Sequence, residues 1–279
     1  MKDSRGYLER MEKSMREKLF FLEHIDLDNK IIIDFGAANG ALAKEIMNTN
    51  PINMTYFCVE SNEEFFKECE IFKVLGVHIV HDLTEVEMWL KNNKDNREVV
   101  LICSSVMHEL TQKMQRNVVR FSREYCDYMI VRDMFYEYNS IPDEREKDIL
   151  EKIICLAPRP DLMQQFFYLR GISKKSMAEY LLKYSYVENW NTEVNEKYLD
   201  VDWIIIKYFE TEEVKPEVVY ERYYTNNFIA GRVYNTFGIN MNWCTHGQLI
   251  LKMKRNEVKD YEEATTTKNR STISFLRWW

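Results

Sequence analysis

Between residues 30 and 135 the chain alternates between two kinds of segment, and this alternation constrains its fold more than any other feature. Short β-branched or aromatic runs occupy 31–35, 54–59, 77–80, 99–103 and 128–131. The stretches between them carry helical spacing: Phe65, Cys69 and Phe72, then Val86, Trp89 and Leu90, then Leu110, Met114 and Val118. Five strands alternating with four helices predict an α/β fold, an open and mostly parallel sheet with helices on both faces. The strands are continuously apolar rather than alternating, as a sheet covered on both sides requires.

Outside this core, residues 5–24 read as a charged amphipathic helix. Pro142 opens a helix to about Ala157, and Pro158 and Pro160 then punctuate the chain. Large aromatics crowd 161–209, among them Phe166, Phe167, Tyr180, Tyr184, Tyr186, Trp190 and Trp203. A strand is expected over 217–224, a helix over 226–237 with Gly238 as its C-cap, and a last strand over 249–253. The expected organisation is an N-terminal helical segment (1–28), an α/β core (29–135), a helical insertion after the fifth strand (136–210), closing elements of the core (211–255) and a polar tail (256–279).

With 46% hydrophobic residues, 8 Gly and 5 Pro in 279, disordered and collagen-like readings are excluded. The net charge of -7 argues against a chain that coats nucleic acid. The six cysteines form no C-x-x-C pair and no zinc-type cluster, which with the polar N-terminus points to a reduced, cytoplasmic protein. No run reaches the ~20 apolar residues of a membrane span. Neither metal nor membrane partner is expected, and the oligomeric state stays open.

The sharpest local feature is Asp34-Phe35-Gly36-Ala37-Ala38-Asn39-Gly40, a strand-to-helix turn that holds two of the eight glycines. Glycine there allows left-handed backbone and close approach of a ligand, and the next helix start offers free amides. The plain alternative is a tight structural turn with a helix cap. Glu60 ends the second strand about 20 residues later, where a carboxylate can accept hydrogen bonds from ribose hydroxyls. It could equally be a capping or solvated carboxylate.

The order Asp34-x-Gly36-x-x-x-Gly40, then Glu60, then Asp82 after the third strand, then Ser104-Ser105-Val106-Met107-His108-Glu109-Leu110 after the fourth, resembles the class I S-adenosylmethionine-dependent methyltransferases, which are Rossmann-like. A nicotinamide-type G-x-G-x-x-G loop fits less well, since residue 38 is alanine. Where the family often has a third glycine, this chain has Ala38. The resemblance implies S-adenosyl-L-methionine as cofactor, with Asp34, Gly36, Ala38, Gly40, Glu60, Asp82 and Ser104 around it.

Beyond the fourth strand, His108 is suited to a general base and Glu109 to orienting an acceptor, the alternative for His108 being a helix cap or a core hydrogen bond. Arg132-Asp133 leaves the fifth strand on the same edge, either binding substrate or neutralising each other. Tyr186 and Trp190 could stack on a planar substrate, or form the insertion's own core. His246 is expected to be structural. The segment after strand four lacks an Asn-Pro-Pro-Tyr motif and a Pro-Cys pair, which disfavours amino or C5 methylation of DNA bases. Three functions therefore compete: methyl transfer to a small molecule or nucleotide, methyl transfer to RNA or DNA read by Arg170, Lys174, Lys175, Lys252, Lys254 and Arg255, and a non-catalytic partner protein of the same fold.

Overall fold

The structure is a computed structural model, and it describes residues 14–93, 95–137, 141–187, 190–194, 199–200 and 215–254. Five parallel strands form the centre: β1 (Lys30–Phe35), β2 (Thr55–Val59), β3 (His78–Val80), β4 (Glu98–Ser104) and β5 (Tyr128–Tyr136). With β6 (Leu199–Asp200), β7 (Glu217–Tyr224) and β8 (His246–Lys252), the sheet runs in the order β3-β2-β1-β4-β5-β8-β7, and β6 pairs with β5. β8 is antiparallel to both β5 and β7. This is a Rossmann-like, mostly parallel sheet, and the chain reverses its direction of winding at β1, between β2 and β4.

Two cores explain the continuous apolar strands. Ile31, Ile33, Leu101, Cys103 and Val131 point to one face, under α4 (Leu83–Asn93) and α5 (Gln112–Tyr125). Ile32, Tyr56, Cys58, Ile102, Ile130 and Ile250 point to the other. There they meet Phe20 and Phe21 of a 3-10 turn (Phe20–Glu23), and Leu42, Ala43 and Ile46 of α2 (Ala41–Met47). α1 (Met15–Lys18) precedes that turn, so the charged helix expected over 5–24 is broken at Leu19, and its first residues lie outside the described ones.

Between β2 and β3 lies α3 (Glu63–Cys69), capped by the Asn62 side chain. After β5 come α6 (Asp143–Leu156), α7 (Pro160–Arg170), α8 (Lys174–Tyr184) and α9 (Trp190–Glu193). They pack with α10 (Asn227–Phe237) around a third core of Phe166, Tyr180, Tyr184, Trp190 and Phe237. Gly238 ends α10 in the left-handed region, at φ 62°. All six cysteines are free thiols, four of them buried. Among the described residues no helix is long and apolar enough to cross a membrane. Trp203, Arg255 and the polar tail lie outside the described residues.

Candidate functional site

At the carboxyl ends of the parallel strands the apolar sheet turns polar. On the face of Ile32, Cys58, Ile102, Ile130 and Ile250, the residues nearest that edge are Asp34, Glu60, Ser104, Arg132 and Gln248, each buried. A sheet interior has no use for such a row, and ligands of open α/β sheets bind at this edge, at the switch point.

The turn after β1 is held by its neighbour strand. The amides of Gly36 and Ala37 donate to the Val59 carbonyl at 2.9 and 3.2 Å, and the Cys69 thiol donates to the Ala38 carbonyl at 3.0 Å. Gly36, Ala38 and Gly40 all take left-handed backbone, at φ 75°, 48° and 75°. A Cβ at Gly36 would come within 2.6 Å of the Val106 side chain, and one at Gly40 within 2.5 Å of the Phe72 ring. Packing is therefore part of the reason for both glycines, and Val106 stands against the first of them. Ala38 carries a side chain in a conformation that costs an L-residue roughly 1–2 kcal/mol.

Glu60 closes the turn from the other side. Its carboxylate accepts the Ala38 amide at 2.8 Å through Oε2 and the Asn62 amide at 2.8 Å through Oε1. Burial raises its pKa above the ordinary 4.5 against the lowering pull of those amides, and the charge of Glu109 raises it further. Glu109 is exposed, after β4, and close enough to Glu60 for its charge to be felt there. Asn39 Oδ1, within the turn, is a buried acceptor with no partner among the described residues.

Asp34 is tied to the neighbouring strand. It lies inside β1, where its Oδ2 accepts the Tyr56 hydroxyl at 3.1 Å. Burial pushes its pKa up to about 7, with Tyr56 and Lys18 pulling the other way. Lys18 of α1, itself buried, is pushed down to about 8 by burial and by Arg132, with Asp34 and Asp133 opposing. Asp82 is exposed and caps α4, accepting the Thr84 and Glu85 amides at 2.8 and 3.2 Å. One of its oxygens is thereby committed to the helix start.

His108 is buried in the 3-10 turn Met107–Glu109, and its Nδ1 lies 2.5 Å from Asp133 Oδ1. Asp133 also accepts the amides of Met107, His108 and Met134 at 2.8, 3.3 and 2.7 Å. With three backbone amides on its carboxylate, Asp133 is held in place and in turn fixes the orientation of the His108 ring at Nδ1. The helix-capping alternative for His108 fails, because Thr111 caps α5.

Arg132 and Asp133 do not neutralise each other. Successive strand residues face opposite sides, so Arg132 is sent to the other face, where it donates to Ser105 Oγ at 2.7 Å and to Glu17 Oε2 at 2.6 Å. Glu17 also accepts the Tyr224 hydroxyl at 2.7 Å and the Asn226 side-chain amide. The Arg132 charge is thus matched within the protein, by Glu17. His246 is buried against Thr245 Oγ1 at 2.9 Å, and burial with the Arg132 charge holds its pKa well below 6.5.

The expected substrate-side role of Trp190 is also corrected. Its ring is 4% exposed, packs between Phe166 and Tyr180, and its Nε1–H donates to Gln165 at 3.2 Å. Tyr186 packs, partly buried, against the same core. Two of the six basic residues proposed to read nucleic acid are engaged within the protein: Arg170 donates to the Val194 carbonyl and lies 3.8 Å from Glu179, and Lys174 pairs with Asp143.

Sequence reasoning missed Asp133 as the partner of His108, and Glu17, Lys18 and Gln248 altogether. Strand alternation could have separated Asp133 from Arg132. Nothing in the local pattern marks Glu17 or Gln248.

No protein-family model matches the sequence, and no curated protein matches it either. The chain is similar to solved methyltransferases. The pyocyanin biosynthetic protein PhzM aligns over 90% of this chain and 58% of its own, at 11% identity and a TM-score of 0.49. PKMT2 from Rickettsia typhi, in complex with AdoHcy, aligns over 86% and 52%, at 12% identity and a TM-score of 0.47. The plantazolicin methyltransferase BpumL, in complex with a desmethylPZN analog and SAH, aligns over 90% and 90%, at 10% identity and a TM-score of 0.45. The chain thus spans little more than half the length of the first two. At these identities the chemistry must come from this chain's own residues.

Proposed function

We propose that this protein is an S-adenosylmethionine-dependent methyltransferase that acts on a small molecule or nucleotide. The observation that carries the reading is the closed unit of turn and carboxylate at the switch point, in which Glu60 is bonded back to Ala38 between left-handed Gly36 and Gly40. The residues suit a nucleoside with an amino-acid tail. The Glu60 oxygens each keep a further lone pair for sugar hydroxyls, and the unpartnered Asn39 Oδ1 can accept from an ammonium group. Gly36, Ala38, Asn39 and Gly40 would hold the amino-acid end and Glu60 the sugar.

When bound, the cofactor supplies an electrophilic methyl group on a sulfonium. The chain's own contribution is alignment and proton removal. Alignment of acceptor and methyl group is worth on the order of 7–11 kcal/mol at best. His108 serves as general base for an oxygen or nitrogen acceptor, and Asp133 holds its ring in orientation. Glu109, exposed after β4, orients the acceptor. Asp34 ties β1 to β2 through Tyr56, and Asp82 caps α4.

Methyl-tritiated cofactor offered with a small-molecule metabolite fraction and, separately, with total RNA tests this. Label is expected in acid-soluble products of the first mixture, and His108→Ala should slow it about 10²–10⁴-fold. Label confined to RNA would select the nucleic-acid reading, and no transfer despite cofactor binding would select the non-catalytic one.

A further inference from the structure

Ser104, Arg132 and Gln248 stand side by side at the ends of β4, β5 and β8, Ser104 in register with Arg132 and Arg132 with Gln248. All three lie on one face, each two positions beyond Ile102, Ile130 and Ile250 of the buried cluster. They are 9%, 5% and 3% exposed. Six buried side-chain polar atoms lack a partner among the described residues, and three of them, Ser104 Oγ, Arg132 Nε and Gln248 Oε1, fall in this row. Buried polar atoms are almost always paired, so three orphans in register call for one shared partner.

The neighbours define its chemistry. Gln248 Nε2 donates to the Glu17 carbonyl at 2.8 Å, which fixes the side-chain amide and leaves Oε1 as an acceptor. Arg132 meets Ser105, Glu17 and the Tyr224 hydroxyl, and its Nε–H has no partner among the described residues. The row thus offers a donor and an acceptor on adjacent strands, whose backbones lie roughly 4.8 Å apart, with the versatile Ser104 hydroxyl on the strand beyond. Glu17 balances the Arg132 charge and Asp34 faces the buried Lys18 behind it, so the row presents no unmatched charge to an ionic ligand. A neutral group with a carbonyl next to an N–H satisfies all three atoms. Phe35 is in register with Cys103, which puts Gly36 level with Ser104, at the head of the row.

We infer that this row is the subsite for a neutral amide or lactam group of the methyl acceptor, its carbonyl on Arg132 Nε–H and the Ser104 hydroxyl, its N–H on Gln248 Oε1. The inference rests on the methyl-transfer reading of the same edge. It assigns Ser104 to the acceptor rather than to the cofactor, and gives Arg132 a neutral substrate contact.

Ligand-observed NMR titrations of benzamide, benzoate and benzylamine against the full chain, with and without saturating S-adenosylhomocysteine, test it. Benzamide is expected to bind at least about tenfold tighter than either charged probe. Gln248→Leu should erase that preference while leaving S-adenosylhomocysteine affinity unchanged. Should Gln248→Leu not fold, Ser104→Ala, which removes one oxygen, is expected to weaken benzamide about three- to tenfold. No preference, no binding of any probe, or a preference that survives the variants would mean that the row holds ordered water only, and would overturn the inference. Failure of S-adenosylhomocysteine to bind would instead strike the methyl-transfer reading, and the titrations without it would still decide the row.

Discussion

At the residue scale, the β1 turn concentrates conformational strain where the ligand is proposed to bind. Ala38 occupies φ 48° with its amide on Glu60. Ala38→Gly is expected to raise stability by about 0.5–1 kcal/mol, the left-handed penalty less the glycine entropy, measured as a higher urea midpoint. A lower midpoint would show that the methyl group packs usefully. Asp34 gives a sharper test because its folded pKa, about 7, lies above its ordinary 3.8. The folded state then binds a proton that the unfolded state lacks between about pH 4 and 7. The contribution of this group therefore falls as pH rises through that window, by up to about 1.4 kcal/mol per unit. Asp34→Asn should remove that slope, read from urea midpoints at pH 4, 5, 6 and 7, and an unchanged slope would place the titration elsewhere.

At the scale of elements, the strands from β1 to β5 were legible because a buried parallel strand must be continuously apolar, and the five runs fell where the strands lie. Of the proposed site, the sequence flagged the parts whose chemistry is local in sequence: Gly36, Gly40, Glu60 and His108. Arg132 and Asp133 were read as one pair because they adjoin, whereas β5 sends them to opposite faces and to partners 115 and 25 residues away. Trp190 stayed open to a substrate-facing and a core reading because an aromatic cannot announce which side of a helix layer it will take. The role of α1 depends on Glu17 meeting Arg132, Tyr224 and Asn226, none near it in sequence. Removing this partner uncovers a buried cation, discounted because Glu17 is about one-third exposed. Glu17→Gln is expected to cost roughly 1–3 kcal/mol and to speed amide exchange over residues 20–25. Unchanged exchange there would mean that Phe20 and Phe21 alone hold the segment.

At the scale of the whole molecule, the sheet order brings the glycine turn, the Glu60 carboxylate, the His108–Asp133 pair and the Ser104–Arg132–Gln248 row to one edge, while the helical layer after β5 keeps its aromatics for its own core. Everything proposed here depends on Glu60 holding the sugar of a sulfonium nucleoside beside that turn. Calorimetric titration of S-adenosylhomocysteine and its 2′-deoxy analogue into the wild-type chain and Glu60→Ala measures this directly. The wild type should lose about ten- to hundredfold in affinity with the deoxy analogue, and Glu60→Ala should bind both weakly and alike. Equal binding of the two ligands by the wild type, or a wild type that binds neither, would contradict it.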